Sequence, residues 1–117
     1  MVSVLSMNVA FLLTLSPEHQ DPYTVSQLSL ACLRQGHKVS VFVMDDGVYS
    51  VVQTRSAHAL VSGFDRLLSE GGKVTLCSVS AEMRNLAQED VLEGVSFGSQ
   101  YDLAQLVLKA DRFLSFG

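Results

Sequence analysis

The chain has 117 residues, 48% of them apolar, which matches one ordinary domain with ample core material and leaves no length for a second. Twelve acidic against eight basic residues give a net charge of −4, and the basic ones are scattered along the sequence, so no stripe for neutralising nucleic-acid phosphates is visible. Cys32 and Cys77 read as reduced thiols, because a chain this rich in Val and Leu does not need a disulfide staple.

The first apolar run, residues 9–15, has the near-continuous pattern of a strand buried on both faces of a parallel sheet. It lacks a basic leader, since the first Lys or Arg is Arg34, and it is far shorter than the roughly 20 residues of a membrane span. The expectation is a soluble, cytoplasmic protein without a membrane span.

Asp21-Pro22 then supplies a cap and a proline for a first helix, whose Val25, Leu28 and Cys32 share one face and whose stop is Gly36. Residues 39–44 form a second buried strand ending in the turn Asp45-Asp46-Gly47, and residues 48–52 read as a connector. A second helix carries Ala57, Leu60, Val61, Phe64, Leu67 and Leu68 at helical spacing and stops at Gly71-Gly72.

Residues 73–77 form a third strand ending in Cys77, and Ser80 is placed to cap a helix bearing Met83, Leu86 and Ala87. A loop around Gly94 and Gly98 carries a brief strand near Val95. The last helix, about residues 100–110, is expected to bury Leu103, Leu106, Val107 and Ala110, with surplus apolar residues Ala104 and Leu108 left for a partner. Residues 112–116 close the sheet. This alternation predicts a single α/β domain over residues 1–117, a three-layer sandwich with a mainly parallel five-stranded sheet flanked by helices, of flavodoxin-like type. Functional loops then gather at the carboxyl ends of the strands.

Cys77 is the residue best placed for chemistry there. It ends a buried strand just before a helix start, where amide groups and the helix dipole favour the thiolate, and Arg84 one turn later adds positive charge. The plain alternative is an inert buried thiol. Cys32, on the core face of the first helix, reads as structural.

Asp45 and Asp46 also end a strand, and could bind a metal or accept phosphate. A receiver domain, however, needs an aspartate after the third strand and a lysine after the fifth; this chain has Cys77 and no lysine at those places. Gly94-Val95-Ser96-Phe97-Gly98 matches the G-x-S-x-G pattern of a hydrolase elbow, yet His19, His37 and His58 all precede it, opposite to the order that fold requires. The histidines lack metal-ligand spacing, so no zinc or other metal is expected. The turn after the first strand, Ser16-Pro17-Glu18-His19, offers no phosphate-binding glycines, which disfavours dinucleotides and nucleoside triphosphates. His19 faces the same end of the sheet.

Several segments carry a family likeness in order. They are Val9-Ala10-Phe11-Leu12-Leu13 with Ser16-Pro17, residues 36–44 running into Asp45, Gly47 and Tyr49, Val74-Thr75-Leu76-Cys77 followed by Met83-Arg84, and the closing residues 110–116. Together they resemble the DsrE/DsrF-like family, which includes TusD-type sulfur-relay proteins. The resemblance implies a sulfur carrier or sulfurtransferase that holds a persulfide on Cys77 without a cofactor, passes sulfane sulfur between donor and acceptor proteins, and assembles as a homo-oligomer (trimer or hexamer) or with related subunits. Arg84 and Ser80 would then stabilise the thiolate, and Asp45, Asp46, Tyr49 and His19 would line the site mouth. Sulfur-relay members often carry Arg-Gly where this chain has Arg84-Asn85, a replacement that suits a left-handed backbone position. The alternative within the same fold is a non-enzymatic oligomeric binding or regulatory subunit with a small-molecule or protein site at the sheet edge.

Overall fold

The structure, a computed structural model, describes residues 5–53 and 63–117. Five strands alternate with helices: β1 Asn8–Leu13, α1 Asp21–Arg34, β2 Lys38–Val43, a 3-10 helix Asp45–Val51, α2 Phe64–Ser69, β3 Lys73–Cys77, α3 Ser78–Met83, a 3-10 turn Gln88–Asp90, β4 Ser96–Gly98, α4 Gln100–Lys109 and β5 Arg112–Phe116. Every pairing in the sheet is parallel, in the order β4-β3-β2-β1-β5. The expected α/β sandwich with a five-stranded parallel sheet is thus the observed one. Among the described residues no helix is long and apolar enough to cross a membrane.

That strand order decides how the helices are distributed. From β1 to β4 the chain steps steadily in one direction, and right-handed crossovers put those connections on one face. Only the β4-to-β5 connection runs back across the sheet, so the same handedness sends α4 to the opposite face.

The two faces differ accordingly. On the crowded face Val9, Phe11, Leu13, Val39, Val41, Val43, Val74 and Leu76 meet Val25 and Leu30 of α1, Val48 and Val51 of the 3-10 helix, Phe64 and Leu67 of α2, and Ala81 of α3. On the other face Ala10, Phe42 and Cys77 are buried, but Ser40 and Thr75 lie among them, and among the described residues α4 is the one helix crossing it. At about 1.5 Å per residue, the ten residues of α4 reach some 15 Å. A sheet of five strands at about 4.8 Å spacing is wider than that.

Several expectations need correction. Residues 48–52 belong mostly to the 3-10 helix, with Val48 and Val51 fully buried, so they are core rather than connector. The residue preceding α1 is Gln20, with Asp21 already helical and Pro22 in the first turn. The buried face of α1 is Pro22, Val25, Ser26, Ser29 and Leu30, while Leu28 is 41% exposed and Cys32 half-buried. Serines can occupy that face because their hydroxyls are satisfied locally: Ser26 donates to the Tyr23 carbonyl at 2.8 Å and Ser29 to the Ser26 carbonyl at 3.0 Å.

Of the second helix, Ala57, His58, Leu60 and Val61 lie outside the described residues; Phe64 and Leu67 are buried in α2 as expected. The last helix has the expected extent but buries none of its residues within this chain, so Leu103, Leu106, Val107 and Ala110 are at most half-buried. The physical reason is the single crossing of a wide face: nothing in the described chain packs on the outer side of α4.

Candidate functional site

The residues around Cys77 are assembled from three strand ends. Cys77 closes β3, and α3 begins at the next residue, so Cys77 itself is the capping residue and Ser80 lies inside the helix rather than at its cap. The chain leaves the strand and turns into helix without a loop, which places the Sγ beside the first amides of α3.

Burial raises the pKa of the Cys77 thiol, but it is outweighed by donors: the Ser80 hydroxyl, the Ser80 backbone N–H, the Gln100 amide and the Val79 backbone N–H hold the pKa below its ordinary value. Such an arrangement favours a thiolate. The sulfur is nonetheless covered, with Cys77 only 2% exposed.

Gln100 supplies part of that cover. Its Nε2 lies 3.4 Å from Cys77 Sγ and 3.9 Å from Met44 Sδ. Gln100 is the first residue of α4, placed there by a capping box at Ser99: Asp102 N–H donates to Ser99 Oγ at 3.3 Å, and Asp102 Oδ2 accepts from Ser99 N–H at 2.7 Å. Since β4 is the neighbour of β3, with Gly98 in register with Cys77, a helix starting at residue 100 delivers its first side chain to the thiol. Gln100 and Met44 were missed by sequence reasoning. The Ser99-x-x-Asp102 pattern was the readable signal for Gln100.

The β2 end contributes Asp45 and Asp46. Asp45 N–H donates to Ser80 Oγ at 2.8 Å, so the serine hydroxyl has an acceptor role toward β2 and its own proton free for the thiol. Asp45 takes a left-handed conformation, φ 52°, which short acidic side chains tolerate. Gly47 is required for a different reason: a Cβ there would collide with the Leu13 carbonyl, so this turn lies directly against the end of β1.

Arg84 does not reach the sulfur. Its Nη2 pairs with Asp45 Oδ1 at 2.7 Å and Asp46 Oδ1 at 2.9 Å, and its Nη1 donates to the Ser80 carbonyl at 3.1 Å. The guanidinium clamps the β2 turn to α3, so the positive charge expected from Arg84 is engaged by the two carboxylates and the Ser80 carbonyl. Asn85 follows with φ 54° and closes α3: its N–H donates to the Glu82 carbonyl and Leu86 N–H to the Ala81 carbonyl, the paired bonds of a Schellman motif. The left-handed position expected for Asn85 is observed.

Tyr49 stands 40% exposed on the 3-10 helix. His19 is not brought to the thiol; its Nδ1 meets Ser16 Oγ at 3.2 Å in the loop after β1, two strands removed from β3.

A family model for the DsrE/DsrF-like family matches residues 7–116. The chain belongs to the DsrE/DsrF-like family. Its relatives include the uncharacterized protein MK0008 of Methanopyrus kandleri, 27% identical over 97 residues and 80% of each chain. The uncharacterized protein MJ0989 of Methanocaldococcus jannaschii is 26% identical over 115 residues, covering 94% of this chain and all of its own. Among solved structures, the E. coli ychN protein superposes with a TM-score of 0.83 at 20% identity, over 96% of this chain and 100% of its own. The protein MTH1491 of Methanobacterium thermoautotrophicum, described as of unknown function, gives a TM-score of 0.74 at 15% identity over 93% and 99%. Both share the DsrE-like α/β fold, and DsrE/DsrF-like membership supports a role connected with sulfur relay in general.

Proposed function

We propose that this protein is a sulfur carrier or sulfurtransferase that holds a persulfide on Cys77. The observation that carries the reading is the donor set on one sulfur: Ser80, Gln100 and the first amides of α3 together offset the cost of burial and lower the thiol pKa. A thiolate is the nucleophile that persulfide transfer needs.

In the loading step the Cys77 thiolate attacks the outer sulfur of a donor protein's persulfide, R–S–SH. The new Sγ–S bond forms as the donor S–S bond breaks, the donor leaves as a thiolate, and the proton stays on the transferred sulfur. In unloading, an acceptor thiolate attacks the outer sulfur of the Cys77 persulfide and releases the Cys77 thiolate. No net oxidation occurs and no cofactor enters either step. Because Cys77 is only 2% exposed, both steps require the Gln100 side chain, at the start of α4, to turn aside. Asp45, Asp46 and Arg84 hold Ser80 in place, and Tyr49 marks the rim where a partner protein would approach.

The partners proposed are a sulfur donor and an acceptor protein, together with further copies of this chain or related subunits. The supporting observation is apolar surface around α4 and the edge strand: Leu108 is 78% exposed, and Tyr101, Val107, Phe113 and Leu114 are exposed as well. The burial of Cys77 favours a second reading, a non-enzymatic binding or regulatory subunit in which the thiol is structural. Intact mass after incubation with a persulfide donor separates the two. One added sulfur that disappears in Cys77→Ala supports the carrier, and an unmodified wild type supports the subunit.

A further inference from the structure

The three lysines of the chain, Lys38, Lys73 and Lys109, all line one cavity of about 580 Å³ at the amino end of the sheet. Scattered in sequence, they converge because Lys38 opens β2, Lys73 opens β3 and Lys109 ends α4, which runs back toward the edge where parallel strands begin. Register puts them together too. Ser40 pairs with Lys73 and Asn8 with Lys38, so Lys38, Ser40, Lys73 and Thr75 share the face that α4 crosses.

None of the three ammonium groups has an ion-pair partner among the described residues, whereas Arg34 and Arg84 are both paired. Asp111, near Lys109 in sequence, accepts from Asn8 N–H at 2.8 Å and does not line the cavity. His37, also in the wall, accepts from Met7 N–H through Nδ1 at 3.1 Å, which puts its proton on Nε2 and makes that nitrogen a donor. Leu33, Leu106 and Ala110 supply apolar wall, and Ser40 and Thr75 supply hydroxyls on the floor. A concave site of this volume is of small-molecule size, and three unpaired cations facing one hollow repel each other until an anion neutralises them.

We infer that this cavity binds a small organic polyanion, a molecule with at least two negative charges as phosphate ester or polycarboxylate, held by Lys38, Lys73 and Lys109 with its apolar part against Leu33 and Leu106. The site stands on its own. It lies at the opposite end of β3 from Cys77, about 13 Å along the strand, and does not depend on the sulfur-carrier reading.

Isothermal titration of the wild-type protein with inorganic pyrophosphate, and separately with citrate, at roughly physiological salt tests it. Saturable binding with a Kd below about 1 mM is expected for at least one probe, and which one binds distinguishes phosphate from carboxylate chemistry. Lys73→Gln and Lys109→Gln should each weaken that binding by about tenfold or more. Absence of saturable binding by either probe, or undiminished affinity in the Lys38→Gln/Lys73→Gln/Lys109→Gln variant, overturns the inference. Amide shifts of the wild type need no variant. Movement at Ser40, Thr75 and Ala110 on titration supports the site, and movement confined to residues around Arg84 refutes it.

Discussion

Gln100 Nε2 lies 3.4 Å from Cys77 Sγ, joining the first residue of the last helix to the thiol that ends the third strand. The contact depends on two elements that are far apart in sequence yet neighbours in the sheet, because β4 lies beside β3 and delivers α4 to the thiol. It gives Gln100 two separable effects on Cys77: it donates to the sulfur and it covers it.

Gln100→Ala in a Cys32→Ala background therefore raises the Cys77 pKa while increasing access to the sulfur. The pH profile of iodoacetamide alkylation should move to higher pH and its plateau rate should rise. An unchanged midpoint would show that the amide does not act on the thiolate.

Ser80→Ala removes the hydroxyl that donates to the thiol and accepts from Asp45 N–H. With that half-buried N–H left to find water instead of its partner, urea denaturation should show a loss of about 1 kcal/mol. The same alkylation profile should shift upward in pH.

The lowered pKa of Cys77 has a thermodynamic consequence with a definite sign. Because the folded state holds the thiol below its ordinary value of 9.0, folding favours the thiolate; the stabilisation is absent below the folded pKa and fully present above the unfolded one. The stability gap between wild type and Cys77→Ser should therefore widen in urea melts as the pH is raised toward the ordinary thiol value. A gap that narrows on going alkaline would contradict the donor set described.

Much of this arrangement was legible in the sequence, and the misses have particular causes. Buried parallel strands announce themselves as continuous apolar runs, so residues 9–13, 39–43 and 74–77 stood out, as did the left-handed position now seen at Asn85. Position alone brought Cys77, Ser80, Asp45 and Arg84 to one end of the sheet. What sequence could not show is which partner a charge selects: Arg84 is one helical turn from the thiol region, but two carboxylates in the turn after β2 compete for it and hold it. Periodicity likewise marks an apolar face of a helix without saying what covers it, which is why α4 was expected to be buried in its own chain. The apparent scatter of the lysines concealed a cluster because register between strands is invisible in the linear order.

Backbone positions supply a stability test. Asn85→Ala places at φ 54° a residue that disfavours the left-handed conformation and should cost about 1 kcal/mol, whereas Asn85→Gly should be neutral or slightly stabilising. Gly47→Ala should be harsher, above about 2 kcal/mol, because its Cβ meets the Leu13 carbonyl of the sheet rather than a movable side chain. Thermal melts of the three variants give the ranking.

For the α4 face, Leu108→Glu separates a free surface from an interface. Leu108 is 78% exposed in the single chain, so the substitution should leave the fold and its thermal stability as a monomer unchanged within about 0.5 kcal/mol. Light scattering after size exclusion should report a multimer for the wild type and a smaller species for the variant. A wild type that runs as a monomer removes the proposed assembly.

The persulfide on Cys77 is tested most directly by intact-protein mass spectrometry after incubation with a persulfide donor. The account predicts one added sulfur atom on the wild type and on Cys32→Ala, none on Cys77→Ala, and loss of the added mass when an acceptor thiol is supplied. Sulfur retained on Cys77→Ala and lost from Cys32→Ala would contradict it.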